Sequence, residues 1–357
     1  MTSENLVGIA EIAEMAKVSK QAVNNWRVRY DNFPSPIQNL QSGPVWNREV
    51  IETWIKDFKG ETTHVLSFIN LKGGVGKTTT AVGVAEILAH EQRKHVLFID
   101  LDPQTNASVT LISEERWADL DQKGHTVAQL FADKLTPNEQ RRFDIDQAIV
   151  HQVSTINDGI ARLDLLASSM RLIDIQDQIP MIALSGNFTA NPLDILKNAI
   201  SLILNRYDYV IIDCPPSLGT VTKNGLRIST GYIIPTIPDI LSTWGIYQII
   251  DNTERFSKDT GRPIQPLGIV ATKVQANNLH RRVIADLKEQ RLGRFGEAGA
   301  LPQPPLFENS LPQTVTVARG ADVNADIRTF KGKYGSAYEP LQGLTEEIRV
   351  LCEKKRP

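Results

Sequence analysis

Short, nearly continuous apolar runs recur along most of this chain: "VLSFIN", "HVLFID", "YDYVIID", "GYIIP" and "LGIVAT". Each is rich in Val and Ile and too short for an ordinary helix, which is how a strand buried on both faces reads. Longer stretches with helical periodicity separate them. That alternation predicts an α/β fold from His64 onward, a doubly wound, mostly parallel sheet. Between Ser113 and Pro192 the pattern is less regular, and an insertion or lobe beside the sheet is expected there. Thr345 to Lys355 reads as a terminal surface helix.

The segment up to about Lys59 follows a different pattern. Short helical stretches are broken by Pro34, Pro36 and Ser42-Gly43-Pro44, and a polar hinge, Gly60-Glu61-Thr62-Thr63, closes the segment. Two domains are therefore expected, 1–60 and 61–357. Within "IAEIAEMAKVSKQAVNNWRVRY", Ile9, Ile12, Ala13 and Ala16 make one apolar stripe, which Val18, Ala22, Val23 and Trp26 continue into a second helix. Ser19 is placed to cap that helix. Its opposite face carries Lys20, Gln21, Asn24, Asn25, Arg27 and Arg29, side chains able to contact bases and phosphates. The stretch resembles the winged helix-turn-helix domains of MerR and excisionase-like proteins, with "DNFPSPIQNLQSGPVWNREVIETWIKDF" as wing and closing helix. Its turn departs from the pattern in lacking a glycine. The resemblance implies a small α-rich domain that binds a specific DNA site.

Composition narrows the picture modestly. With 41% hydrophobic and 22% charged residues and a net charge of −2, the 357-residue chain is an ordinary globular protein. Global charge gives no pull toward nucleic acid, so any basic surface must be local. Cys214 and Cys352 form neither a disulfide framework nor a metal-ligand spacing, and no signal-peptide pattern opens the chain, so a reducing cytoplasm is expected. No apolar run reaches membrane-spanning length.

The chemistry concentrates in "NLKGGVGKTTTAVGVAEILA". The strict phosphate-loop spacing needs a glycine where Asn70 or Leu71 stands, and neither is one. The physical requirements are nevertheless met. Gly73, Gly74 and Gly76, around Val75, let successive backbone N–H groups turn toward phosphate oxygens, after a strand and at the start of a helix near Lys77. Lys77 would hold the β- and γ-phosphates, and Thr78, followed by Thr79, would complete a magnesium shell. Asp100 and Asp102 follow an apolar strand and, in extended geometry, would point the same way at its C-terminal end. Asp213, closing "YVIID", stands where a carboxylate would meet Mg2+ through water. Cys214 reads as a small buried neighbour, and Pro215-Pro216 as a stiff loop.

Lys-Gly-Gly-Val-Gly-Lys-Thr-Thr resembles the deviant Walker A motif of the ParA/MinD ATPases. "VLFIDLDPQTNAS", "YDYVIIDCPPSLG", "IIPTIPDILSTWGIYQII" and "LFENSLPQTVTVARGADV" resemble further blocks of that family, from about His64 to Glu347. The resemblance implies ATP and Mg2+ as cofactors and an ATP-dependent homodimer. In it Lys72 reaches across to the partner's phosphates, Asp102 positions the attacking water with Asp100 in support, and Pro238 lies near the base. It also implies a ParB-like centromere-binding partner and sequence-independent DNA binding by the dimer, mapped onto Lys273, Arg281 and Arg282, with His280 and Lys288 nearby. No arginine offers itself as a finger in cis, so turnover is expected to be weak alone and stimulated by partner and DNA. Plasmid or chromosome segregation on the nucleoid is the leading expectation. A nucleotide-switched repressor or a nucleoid-based cargo-positioning ATPase are the alternatives. A membrane-anchoring tail is not expected, since "LTEEIRVLCEKKRP" has few bulky apolar residues.

Overall fold

Short apolar segments punctuated by turn residues shape the first of two compact units, Met1–Thr63; the second is His64–Lys355. The computed structural model describes residues 6–16, 18–30, 33–40, 43–58, 63–135, 141–182, 191–291, 301–313 and 328–354. In the first unit, β1 (Leu6–Val7) leads into α1 (Ile9–Ala16) and α2 (Lys20–Arg29), followed by β2 (Gln38–Leu40), β3 (Gly43–Asn47) and α3 (Arg48–Phe58). The strands form an antiparallel sheet ordered β1-β3-β2. The apolar stripe is the core: Ile12, Ala13, Ala16 and Val23 are buried with Trp46, Ile51, Trp54 and Ile55, while Ile9, Val18 and Trp26 pack at its margin. The Ser19 hydroxyl accepts the Ala22 N–H at 3.2 Å and so starts α2.

In the second unit the five apolar runs become parallel strands β4 (His64–Phe68), β5 (Val96–Asp100), β8 (Tyr209–Asp213), β9 (Gly231–Thr236) and β10 (Gln265–Ala271). They belong to a seven-stranded sheet ordered β10-β9-β4-β8-β5-β7-β6. Its last two strands, β6 (Ile149–Val150) and β7 (Leu163–Leu166), lie in the region expected to be a lobe. β7 pairs with β5 in parallel and β6 with β7 antiparallel, so this region extends the sheet itself. Both strands are short and Asp164 interrupts β7, which is why no continuous apolar run announces them.

Both faces are covered. The helices are α4 (Lys77–His90), α5 (Asn106–Ile112), α6 (Glu114–Lys123), α7 (Val127–Ala132), α8 (Ile145–Ala148), α9 (Leu172–Ile182), α10 (Ile195–Ile200), α11 (Thr220–Ile228), α12 (Ile240–Thr260), α13 (Asn278–Lys288), α14 (Phe330–Tyr334) and α15 (Tyr338–Lys354). Side chains of alternating strand positions feed two cores, one around Ile99, Ile212 and Ile234 and the other around Phe68, Phe98 and Ile211. α4 runs through the second core with Ala81 to Ala89 buried. α15 is longer than the surface helix expected from Thr345, and Leu341, Leu344, Ile348 and Cys352 are buried. A Cβ on Gly83 of α4 would collide with the Leu341 side chain, so glycine is what lets these two helices approach.

The sheet order brings the chemistry to one place. β4 sits between β8 and β9, and the chain leaves it toward β5 on one side while β9 and β10 lie on the other. Loops at the strand C-termini part there, leaving the crevice where open α/β sheets bind ligands.

Candidate nucleotide site

The loop leaving β4 is built to expose its backbone. Gly74 and Gly76 adopt φ of +71° and +83°, left-handed conformations that favour glycine, and a Cβ on Gly73 or Gly74 would meet no atom within 4 Å. Its front end is clamped: Asn70 Oδ1 accepts the Lys72 N–H at 2.9 Å, and Asn70 Nδ2 donates to the Pro235 carbonyl at 2.8 Å. Its back end is held by the Thr272 hydroxyl, which donates to the Val75 carbonyl at 2.6 Å. Between these anchors the loop borders a cavity of about 370 Å³ together with Lys77, Thr78, Thr79 and Asp102.

Lys77 is buried and its Nζ donates to the Lys72 carbonyl at 3.3 Å. Burial lowers its pKa, while the carboxylates of Asp213 and Asp102 pull it back up. The Thr78 hydroxyl donates to Asp213 Oδ2 at 2.6 Å. Asp213 Oδ1 is buried without a hydrogen-bond partner, and burial, then the Asp100 carboxylate, push the Asp213 pKa well above the ordinary range. An orphaned carboxylate oxygen beside a threonine hydroxyl and a phosphate-binding loop fits a hydrated divalent cation, whose charge would satisfy the oxygen and reverse that shift. Cys214 is fully buried next to it, with its thiol pushed up to about 12 by burial and then by Asp213, so it is no nucleophile.

The two aspartates that the sequence suggested would point together have different surroundings. β5 ends at Asp100, so the two-residue alternation of a strand stops short of Asp102. Asp100 accepts the Asp102 N–H at 3.0 Å on one oxygen, and the Ser108 N–H at 2.9 Å and hydroxyl at 2.7 Å on the other. It is fully buried and holds the loop that carries Asp102. Burial raises its pKa to about 7 against the Ser108 hydrogen bonds. Asp102 accepts the Gln104 N–H on Oδ1 at 3.0 Å and faces the cavity.

Lys72 turns away from the cavity. Its half-exposed ammonium donates to Ser242 Oγ at 2.8 Å and pairs with Asp239 Oδ2 at 3.3 Å, at the N-terminus of α12. Burial works against ionised Asp239, but its bonds from Ser242 and the Lys72 charge outweigh it and hold the carboxyl below the usual range. Pro238, expected near the base, is buried just before Asp239 and outside the cavity lining.

Of the basic residues assigned to DNA, Lys273 is part of the cavity lining, with φ of +50°, two residues past the end of β10 at the sheet's ligand-binding edge. Arg281 and Arg282 are exposed on α13. In the first unit, Lys20, Gln21, Asn25 and Arg27 are exposed on α2 and Asn24 is half-buried; the Arg29 side chain lies outside the described residues. Sequence reasoning missed Lys333 and Tyr334 of α14, which also line the cavity. Both bind Glu86 of α4: Lys333 Nζ lies 2.7 Å from Oε1, the Tyr334 hydroxyl donates to Oε2 at 2.6 Å, and Ser154 donates to Oε1 at 2.6 Å. The signal was present in "AVGVAEILA", where one carboxylate on an otherwise apolar helix face demands a buried partner.

A glycine-cradled loop between a parallel strand and a helix, with Lys77 and Thr78 at the helix start and Asp213 closing the neighbouring strand, defines a P-loop nucleotide site. Comparison with known proteins agrees. The family described as "AAA domain" matches residues 63–265, more than half of the chain. The chromosome-partitioning ATPase Soj of Treponema pallidum is 27% identical over 278 residues, covering 77% of this chain and 94% of that protein. A plasmid partition protein of Borrelia burgdorferi bound to AMPPNP superposes with a TM-score of 0.57 at 19% identity, over 81% of this chain and 99% of that one. Cobyrinic acid a,c-diamide synthase of Mycobacterium smegmatis, with bound ATP analog and magnesium, gives 0.58 at 24%, over 83% and 98%. At such identities the two structures speak for the fold alone. The chain belongs to the AAA-domain family, as a ParA/MinD-type P-loop ATPase.

Proposed function

We propose that this protein is an ATP-dependent DNA-partition ATPase whose homodimer is held together by bound nucleotide. The observation that carries the reading is the division of labour between two lysines. Lys77 is buried at the phosphate loop, while Lys72, at the same loop's outer edge, is turned away from the cavity and half-exposed. A cation with no work inside its own site is available to a second subunit. Loop N–H groups and Lys77 would bind the phosphates, and Thr78 and Asp213 would hold Mg2+, which offsets phosphate charge. Asp102 would orient water at the cavity, fixed in place by Asp100 through its backbone. Among the described residues no arginine lines the cavity, which supports slow turnover alone and stimulation by a ParB-like partner and DNA.

The separate N-terminal unit supports a second DNA activity. A capped helix bearing Lys20, Gln21 and Asn25 on its exposed side, followed by the β2–β3 hairpin, has the parts of a winged helix-turn-helix. It would give the protein a specific operator or centromere-like site, and this favours a repressor role alongside partition. Arg281 and Arg282 would serve sequence-independent binding by the dimer, cytoplasmic and nucleoid-associated. The reading is tested by plasmid or chromosome retention in cells carrying Lys77→Ala. Retention should fall to the level of the gene deletion, and unchanged retention would refute the partition role.

A further inference from the structure

α2 holds one exposed residue that does not belong on a polar face. Val28 is 88% exposed, a branched apolar side chain one helical turn beyond Asn24. The two residues and Arg27 line an open groove of about 380 Å³ whose far wall is Phe33, Pro34 and Pro36. That wall is fixed in place: the Pro34 carbonyl accepts the Trp46 Nε1–H at 2.8 Å, and Phe33 packs edge-on against Trp54 with ring centroids 4.6 Å apart.

The polar groups of the groove have a defined sense. Arg27 Nη1 donates to Asn24 Oδ1 at 3.4 Å, and the guanidinium lies 5.1 Å from the centre of the Trp46 ring. A guanidinium has only donors, so this contact sets the amide with its oxygen toward Arg27 and its NH2 group away from it. The groove therefore presents an N–H donor next to an apolar surface. In the major groove thymine alone pairs an acceptor, O4, with a methyl group; cytosine shows a donor there and guanine two acceptors. Positions four apart on a helix stand about 6 Å apart along its axis, close enough for two side chains to converge on one base.

We propose that Asn24 and Val28 read a thymine, with Asn24 Nδ2 donating to O4 and Val28 covering the C5-methyl group, while Arg27 positions the amide. The inference rests on the reading of α2 as a recognition helix and adds the base it selects. Full-length protein would be used to enrich binding sites from a random duplex library. Each thymine of the enriched site would then be replaced by deoxyuridine, which removes the methyl group and keeps O4. Loss of one buried methyl should weaken wild-type binding about fourfold at one position of the site. Val28→Ala should bind the thymine duplex about fourfold more weakly and lose nothing further on the uracil duplex; as Val28 is exposed, the fold is expected to survive, which circular dichroism checks. Uracil that is neutral at every position, or a uracil penalty undiminished in Val28→Ala, overturns the inference and leaves the recognition-helix reading standing. Failure to enrich any sequence overturns both.

Discussion

At the residue scale, the site divides its carboxylates by task. Asp213 keeps one buried oxygen without a hydrogen-bond partner, Asp102 faces the cavity, and Asp100 spends both oxygens on protein N–H and O–H groups. Asp102→Ala is expected to leave ATP binding near wild type and to lower partner- and DNA-stimulated turnover by about a hundredfold or more, the scale of a lost proton-transfer or positioning group. Equilibrium nucleotide binding and phosphate release measured on the same variant check this; wild-type turnover would clear Asp102 of the role. Asp100 makes a different prediction. Its native pKa is raised from 3.8 to about 7, so between those values the folded state holds more protons than the unfolded one. Stability from this group is therefore present at low pH and is lost as pH rises from about 4 through about 7. Urea midpoints across that window should fall for wild type relative to Asp100→Asn, which has no proton to lose there. Parallel curves would contradict it.

At the scale of elements, the five buried strands and the loop after β4 were legible because burial on both faces writes an unbroken apolar run. β6 and β7 were not, since β6 is a two-residue edge strand and the four-residue β7 beside it is interrupted by Asp164. Nor was the docking of α14 and α15 on α4. Glu86 and Lys333 stand 247 residues apart, and only the folded chain shows that each is the other's partner. The pair joins the P-loop helix to the segment that supplies Lys333 and Tyr334 to the cavity wall. Because both charges are buried, removing one strands the other, at a cost of about 3–5 kcal/mol. Lys333→Met should destabilise by about that amount, and adding Glu86→Gln should recover part of it. Chemical denaturation of the two variants decides the point: a double variant at least as unstable as Lys333→Met alone would show that the pair is not what joins these helices.

At the scale of the whole molecule, the sequence indicated two domains, and the structure shows two compact units, one carrying the nucleotide site and the other α2 with its groove. The polar residues of α2 were legible from their spacing around a buried stripe. Val28's part was not, because an apolar residue on a helix reads as core until its exposure is known. The proposed dimer rests on Lys72, which is parked on Asp239 and Ser242 outside the residues that line the cavity. The most direct test is the molar mass of wild type and Lys72→Ala by light scattering, with Mg2+ and either ADP or a non-hydrolysable ATP analogue. Wild type should double in mass only with the ATP analogue, whereas Lys72→Ala should bind the analogue and remain a monomer. A variant that dimerises with the analogue as fully as wild type would contradict the account.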